Sequence, residues 1–257
     1  HGFMVYPIAA RRAGAVPLEV ADVDYAADVD AILDTVRADT RVIFLANPNN
    51  PTGTMISRAE VARLHGSLRP DILLVMDQAY AEYLDDPDPD GGLHLATHAP
   101  NVVATRTFSK IYGLGGLRVG WATGPAAVMA ELNRVRAPFP ISVPALAACE
   151  AALDDQQFVA DCRRWNREQR AVLAEGIARL SNKGLRAVPS EANFVLMTCP
   201  EDGPLAAGTL HKALMEKGYI TRWLPTQGLP HALRISVGTE SETAGVVAAL
   251  TAIAEAA

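Results

Sequence analysis

Val42-Ile43-Phe44-Leu45-Ala46, running straight into Asn47-Pro48-Asn49-Asn50-Pro51-Thr52-Gly53, is the stretch on which the fold of this chain turns. Five apolar, β-rich residues that break into a polar turn read as a strand buried on both faces, the pattern of a parallel sheet. Two further runs behave the same way. Ile72-Leu73-Leu74-Val75-Met76 ends in Asp77-Gln78-Ala79-Tyr80, and Val102-Val103-Ala104-Thr105 leads into Arg106-Thr107-Phe108-Ser109-Lys110. Between the first two lies the segment from Ser57 to Leu68, where Ser57 and Glu60 have capping-box spacing ahead of a helical apolar period. Strand, helix and strand make a βαβ unit, and with it a doubly wound α/β sheet. A short apolar run alone also suits a buried helix, but the turn chemistry at the ends favours strands.

Past residue 144 the pattern changes. Residues 144–153 and 161–180 read as long helices, the second with a solvated face of Arg163, Arg164, Arg167, Glu168 and Arg170. Strand-like pieces follow at 185–188, 194–197 and 233–237, with helices at 205–217 and 241–256. That alternation predicts a second, smaller α+β domain. The expected division is 1–150 for the large domain and 151–257 for a connecting helix and the small one.

Composition narrows the possible partners. The chain has 257 residues, 49% of them hydrophobic and 20% charged, enough for a sizeable core. A net charge of -6 without long runs gives no purchase for nucleic acid or an anionic membrane. Asp85-Asp86-Pro87-Asp88-Pro89-Asp90 lacks metal-ligand spacing and reads as a solvated surface loop. Cys149, Cys162 and Cys199 form no CxxC motif and suit reduced thiols in a cytoplasmic protein. No apolar run approaches the roughly 20 residues of a membrane span, and no signal peptide is recognised. The opening His1-Gly2-Phe3-Met4-Val5-Tyr6 has the character of the inside of a domain, so an N-terminal segment is expected to be missing from it.

Open α/β sheets bind ligands at the carboxyl ends of their strands. Here those ends carry Asn50, then Asp77 and Tyr80, then Ser109 and Lys110. Lys110 precedes Gly113-Leu114-Gly115-Gly116-Leu117-Arg118-Val119-Gly120, which is not a dinucleotide fingerprint because Arg118 stands where the third glycine belongs. A lysine in an electropositive, partly desolvated site can supply a free amine for covalent chemistry. Ser109 and Arg118 are a hydroxyl and a guanidinium suited to a phosphate. Asp77 closes an apolar strand and suits either a cap or salt bridge, or a protonated heterocycle nitrogen.

Together these motifs become specific. Asn-Asn-Pro-Thr-Gly (49–53), Asp-x-Ala-Tyr (77–80), Ser-Lys (109–110), Gly-Leu-Arg-x-Gly (116–120) and Leu-Arg-Ile-Ser-Val-Gly (233–238) stand in an ordered series. Their order and spacing resemble fold-type I, class I/II aminotransferases, and among these the histidinol-phosphate aminotransferases, over essentially the whole chain. The resemblance implies pyridoxal 5'-phosphate as cofactor and a mainly parallel sheet sandwiched by helices. It also implies a homodimer. It makes Lys110 the Schiff-base lysine that also moves the Cα proton, and Asp77 the partner of the pyridine nitrogen. Tyr80 and Asn50 become the hydrogen-bonding pair for the ring oxygen, with Ser109, Arg118 and Thr107 at the phosphate. Arg234 matches the residue for the substrate α-carboxylate, Arg222 one for the substrate phosphate, Asn193 a substrate-side asparagine and Phe3 a ring stacked on the cofactor.

Gln78 departs from the commoner Glu of the motif, with little effect expected. The family's N-terminal glycine-rich turn, whose helix would bind the phosphate, is not among these residues, nor is a tyrosine that reaches the partner subunit. The implied reaction takes histidinol phosphate and 2-oxoglutarate to imidazole-acetol phosphate and glutamate. An aromatic or broad-range aminotransferase and a threonine-phosphate decarboxylase are the same-class alternatives, and a non-catalytic binding module is the alternative of another class. No metal is expected. His94 and His98 lie four residues apart, but the glutamate of HExxH is missing and the segment reads as loop.

Overall fold

The computed structural model describes residues 1–257, which divide into two compact units. In chain order the elements begin with α1 (Val5–Arg12), α2 (Val29–Thr35), β1 (Val42–Ala46), α3 (Arg58–Ser67), β2 (Leu73–Asp77) and α4 (Gly92–His98). Next come β3 (Val102–Thr107), β4 (Gly120–Thr123), α5 (Ala126–Val135), α6 (Val143–Asp154) and α7 (Gln156–Ala178). The chain closes with β5 (Arg186–Ala187), β6 (Phe194–Thr198), α8 (Ala207–Glu216), β7 (Arg222–Leu224), β8 (Leu229–Ser236) and α9 (Glu240–Ala256).

The first unit holds Ala27–Pro48 and Met55–Arg163. Its sheet has the order β1-β2-β3-β4, with β1, β2 and β3 parallel and β4 antiparallel at the edge. The three expected strands are all present. Val61 and Leu64 of α3 pack with Leu74, Met76, Val102 and Ala104 of the sheet, all at 0% exposure. Each large apolar side chain buried this way stabilises by about 1.5–3 kcal/mol. Ser57 caps α3 as its spacing predicted, its Oγ accepting from Glu60 N at 3.2 Å.

Two expectations need correcting in this unit for one reason. The acidic run 85–90 is a loop solvated at Asp85, Asp86 and Pro87 but drawn inward at Asp88 and Asp90, and the segment with His94 and His98 is a helix. Asp88 carboxylate oxygens accept from Leu93 N at 2.9 Å and His94 N at 2.8 Å, and Asp90 Oδ1 accepts from Gly92 N at 2.9 Å. The aspartates satisfy the open N–H groups of α4. Asp90 is thereby fully buried. The His94 and His98 rings stack at 4.2 Å, and no group of three His, Cys, Asp or Glu gathers anywhere in the chain as a metal site would need.

The second unit holds His1–Ala26, Asn49–Thr54 and Arg164–Ala257. Its sheet, ordered β5-β6-β8-β7, is antiparallel throughout. One face packs Val195, Met197, Leu233 and Ile235 against α7, α8 and α9. On the other, Leu196, Leu224, Leu229 and Ala232 pack with the ring of Tyr25. Thr239 and Glu242 form a full capping box at the start of α9.

These units cut the chain elsewhere than at residue 150. The division falls after Arg163, within α7, a single helix of 23 residues. The first 26 residues join the C-terminal part. Tyr25 explains this, since its carbonyl accepts from Thr54 Oγ1 at 2.7 Å and its hydroxyl meets His231 Nε2 at 3.1 Å. No helix is long and apolar enough to cross a membrane.

Candidate active site

The first unit gathers six of the residues singled out in the sequence. Asp77 is the last residue of β2, paired with Ala46 of β1 on one side and Thr105 of β3 on the other. Its Oδ1 accepts from Ala79 N at 3.1 Å, a turn that lets the strand end leave the sheet. Tyr80 follows, 4% exposed, and Lys110 Nζ lies 5.1 Å from the centroid of its ring. An ammonium at this distance over an aromatic face is attracted by the ring quadrupole.

The loop after β3 is pinned on both sides of Lys110. Phe108 and Ile111 are buried, at 6% and 2% exposure, and Phe108 packs with Val119, Ala145 and Cys149. Phe108 N donates to Val119 O at 3.1 Å and Leu114 N to Phe108 O at 3.0 Å, closing the loop on itself. Lys110 therefore sits on a short span between two anchors. Beside it, Ser109 N donates to Thr107 Oγ1 at 3.0 Å, and Arg118 Nη1 donates to Ser109 Oγ at 3.3 Å and Gly115 O at 2.7 Å.

Arg118 has φ +57°, a left-handed conformation that a residue with a Cβ adopts at a cost of about 1 kcal/mol or more. Such strain persists where the surrounding structure demands it. Here it turns a guanidinium onto the Ser109 hydroxyl and the Gly115 carbonyl, a group placed to meet an anion. A carboxylate, a phenol, an amine and an anion cradle in one unit match the donor set of a phosphorylated pyridine. The residues fit pyridoxal 5'-phosphate.

The second unit gathers the rest. Arg234 Nη1 donates to Asn50 Oδ1 at 2.5 Å, and its guanidinium lies over the Phe194 ring at 4.7 Å. Arg222 of β7 stands directly opposite Arg234 of β8 in the ladder. Two like charges so placed repel each other, an arrangement that an anionic ligand relieves. Asn193 precedes β6, and its carbonyl accepts from Val237 N at 2.9 Å. Phe3 is 37% exposed and meets Tyr6 edge-on, the ring centroids 5.7 Å apart. Asn50 and Tyr80, expected to act as a pair, belong to different units.

The turn that carries Asn50 has one strict requirement. Gly53 has φ +79°, and a Cβ there would stand 2.2 Å from Ser190 Oγ. Its carbonyl accepts from Glu191 N at 2.7 Å. Only glycine fits.

Sequence reading missed a polar network on the first unit. Gln78, at 0% exposure, links Asp88, Asp90 and Arg106. Burial pushes the carboxyl of Asp90 above its ordinary range despite bonds from Gly92, Gln78 and Asn47. Burial also raises Glu82, against the nearby charges of Arg106 and Arg163. For Asp88 burial pulls upward too, but the N–H groups of His94 and Leu93, with Gln78 and Arg58, outweigh it and lower the carboxyl. The signal was available: an arginine inside the β-rich run 102–107 is a buried charge in search of a partner.

A lysine, an aspartate and a guanidinium beside a hydroxyl, near the carboxyl ends of three parallel strands, suit a phosphorylated coenzyme. Comparison with known proteins gives the family: a profile of the aminotransferases of class I and II matches residues 2–250, and the chain belongs to that family. A histidinol-phosphate aminotransferase of Zymomonas mobilis is 51% identical over 253 residues, covering 98% of this chain and 68% of that protein. One from Sphingopyxis alaskensis is 52% identical over 252 residues, covering 98% and 67%. Among solved structures, the histidinol-phosphate aminotransferase of Sinorhizobium meliloti in complex with pyridoxal-5'-phosphate superposes with a TM-score of 0.90 at 28% identity, covering 99% of this chain and 69% of that one.

Proposed function

We propose that this chain is a pyridoxal 5'-phosphate-dependent aminotransferase whose amino donor is histidinol phosphate and whose acceptor is 2-oxoglutarate. The products are imidazole-acetol phosphate and glutamate. The observation that carries the reading is identity of 51% and 52%, over nearly the whole chain, to two histidinol-phosphate aminotransferases. The first unit supports the coenzyme part, because Asp77, Tyr80, Ser109, Lys110 and Arg118 supply the chemistry such a group needs.

Bound there, the coenzyme supplies an electron sink for the pair left behind when the substrate's Cα–H bond breaks. Lys110 Nζ would hold the coenzyme covalently in the resting site and, once free, would take and return the Cα proton. Asp77 pairs with the ring nitrogen and keeps it protonated. Tyr80 would bond the ring oxygen, a task that the resemblance also gives to Asn50 of the second unit. Ser109, Thr107 and Arg118 would hold the phosphate, and the resemblance gives the ring face to Phe3 of the second unit. Arg234 takes the substrate α-carboxylate through its planar fork, Arg222 the substrate phosphate, and Asn193 stands on the substrate side. In domain terms, the unit of residues 27–48 and 55–163 carries the coenzyme.

The protein acts as a cytoplasmic homodimer. What supports the dimer is an apolar surface around α5 and α6, where Phe139, Val143 and Val135 are 94%, 82% and 79% exposed. Free cysteines at 149, 162 and 199 suit a reducing compartment.

The test is direct. Borohydride reduction of the holoenzyme followed by mass spectrometry is expected to place a pyridoxyl group on Lys110. Turnover with 2-oxoglutarate should favour histidinol phosphate over phenylalanine and threonine phosphate. An unlabelled Lys110 overturns the coenzyme assignment, and a preference for either rival substrate overturns the donor.

A further inference from the structure

Gln78 follows Asp77 at the end of β2 and has no exposed surface. Its Nε2 donates to Asp90 Oδ1 at 2.6 Å and to Asp88 Oδ1 at 3.0 Å, while its Oε1 accepts from Arg106 Nε at 3.0 Å. Asp90 Oδ2 in turn accepts from Asn47 Nδ2 at 3.0 Å, and Asn47 Oδ1 accepts from Ile56 N at 2.9 Å. Arg106 also donates to Pro87 O at 2.6 Å and approaches the Glu82 carboxylate at 3.6 Å. Asn47, Gln78 and Arg106 stand at the carboxyl ends of β1, β2 and β3. Side chains thus lace the three strand ends together through the loop that precedes α4.

Alternation along a strand puts Gln78 and Arg106 on the sheet face opposite Asp77, Thr105 and Thr107. The lacing therefore grips the strand ends from behind the residues assigned to the coenzyme. A direct mechanical link connects the two faces. Asp77 Oδ1 accepts from the N–H of Ala79, which belongs to the peptide joining Gln78 to Ala79. The Gln78 amide is itself bonded to Thr105 O at 2.9 Å. Wherever Gln78 is held, the Asp77 carboxylate is aimed accordingly.

Packing alone does not account for this choice of residues. Burying carboxylates and a guanidinium costs free energy, and apolar side chains of like volume stabilise as well or better. Hydrogen bonds add direction, which apolar packing lacks. A primary amide is also the side chain that fits, because it can donate to two carboxylates while accepting from a guanidinium.

We infer that Gln78 is a positioning residue: held by Asp90 and Asn47 on one side and by Arg106 on the other, it fixes the end of β2 and so the direction in which Asp77 meets the coenzyme's ring nitrogen. This inference rests on the coenzyme reading of Asp77. The charged groups around Gln78 are Asp88 and Asp90 before α4, Glu82 after Tyr80, Arg106 on β3, with Arg58 bonded to Asp86 and Arg163 to Glu82 O behind them.

The test compares the full chain with Gln78→Met, which keeps the size and loses the bonds, and Gln78→Glu, which brings a third carboxyl against two. Pyridoxal 5'-phosphate uptake is followed by equilibrium dialysis, absorbance of the bound coenzyme against pH, and thermal unfolding of the apo-protein against pH. Gln78→Met is expected to bind the coenzyme about tenfold more weakly and to shift the pH midpoint of its absorbance. Gln78→Glu should resemble the parent near about pH 5, where the added carboxyl carries a proton and donates, and lose apo stability as pH rises. If Gln78→Met does not fold, the absorbance titration of Gln78→Glu carried upward from about pH 5, where it folds like the parent, makes the comparison. Parental absorbance titrations in both variants, whatever their melting temperatures, overturn the positioning role and leave the coenzyme reading standing. A parent chain that takes up no coenzyme overturns both.

Discussion

The two units place their functional groups by opposite means. In the first, the middles of the parallel strands β2 and β3 are covered while the edge strand β1 exposes Val42 and Phe44, and the candidate residues stand where the strands stop: Asp77 at the end of β2, Ser109 and Lys110 beyond β3. In the second, antiparallel strands keep a usable face along their length, and Arg222 and Arg234 project from paired positions within the ladder. A strand end can be re-aimed by a loop, whereas a position in a ladder moves only with its neighbours. The first arrangement suits a coenzyme gripped by diverse groups, and the second a pair of fixed charges for an anion.

Substitutions in each unit sharpen that contrast. Lys110→Ala is expected to lower kcat by about 10³-fold or more, measured in single turnover, because no second amine stands on that loop to move the Cα proton. Arg234→Lys keeps the charge but loses the fork, the stacking on Phe194 and the bond to Asn50. It should lower kcat/KM by about 10²-fold, a loss of about 2–3 kcal/mol, with the larger part in KM. An unchanged KM would show that the fixed-charge reading of the second sheet is wrong.

Gly53→Ala tests the turn that carries Asn50. The methyl group meets Ser190 in a left-handed backbone, so unfolding should become easier by about 2 kcal/mol in chemical denaturation. Titration separates the units most gently. Burial raises Cys199 in the second unit from 9.0 to about 12. A group raised on folding keeps its full contribution below its unfolded value and loses it as pH climbs toward the folded one. Stability should therefore fall between those two values by about 1 kcal/mol per pH unit, a slope that Cys199→Ala reduces. Asp90, raised within the first unit, follows the same rule in the carboxylate range.

Legibility in the sequence followed burial. The strands β1, β2 and β3 announced themselves as apolar runs, α3 by its period and capping box, and α6 to α9 as longer helical stretches. The edge strands β4 and β7 did not, because Gly120-Trp121-Ala122 and Arg222-Trp223 are exposed and carry no alternation of burial. Helix α4 hid behind an acidic, proline-containing stretch whose carboxylates look solvated until their N–H partners are in place. Of the first unit's candidate residues, Asp77, Tyr80, Ser109 and Lys110 stood out because each ends or follows an apolar run, Arg118 by its glycine-rich loop, and Thr107 only by family resemblance. Gln78 did not stand out, since its partners Asp90 and Arg106 lie 12 and 28 residues away, and Arg106 showed only as a charge inside a β-rich run.

Arg118 carries a consequence for anyone who sets out to make this protein sturdier. Its backbone conformation is one that glycine or asparagine adopts with ease, so a search for hardier variants will drift toward losing this guanidinium. A library ranked by melting temperature would discard the anion cradle at that position, while one ranked by coenzyme retention would keep the strained arginine. At residue 118 the two selections pull apart, and the side chain found there records which of them prevailed.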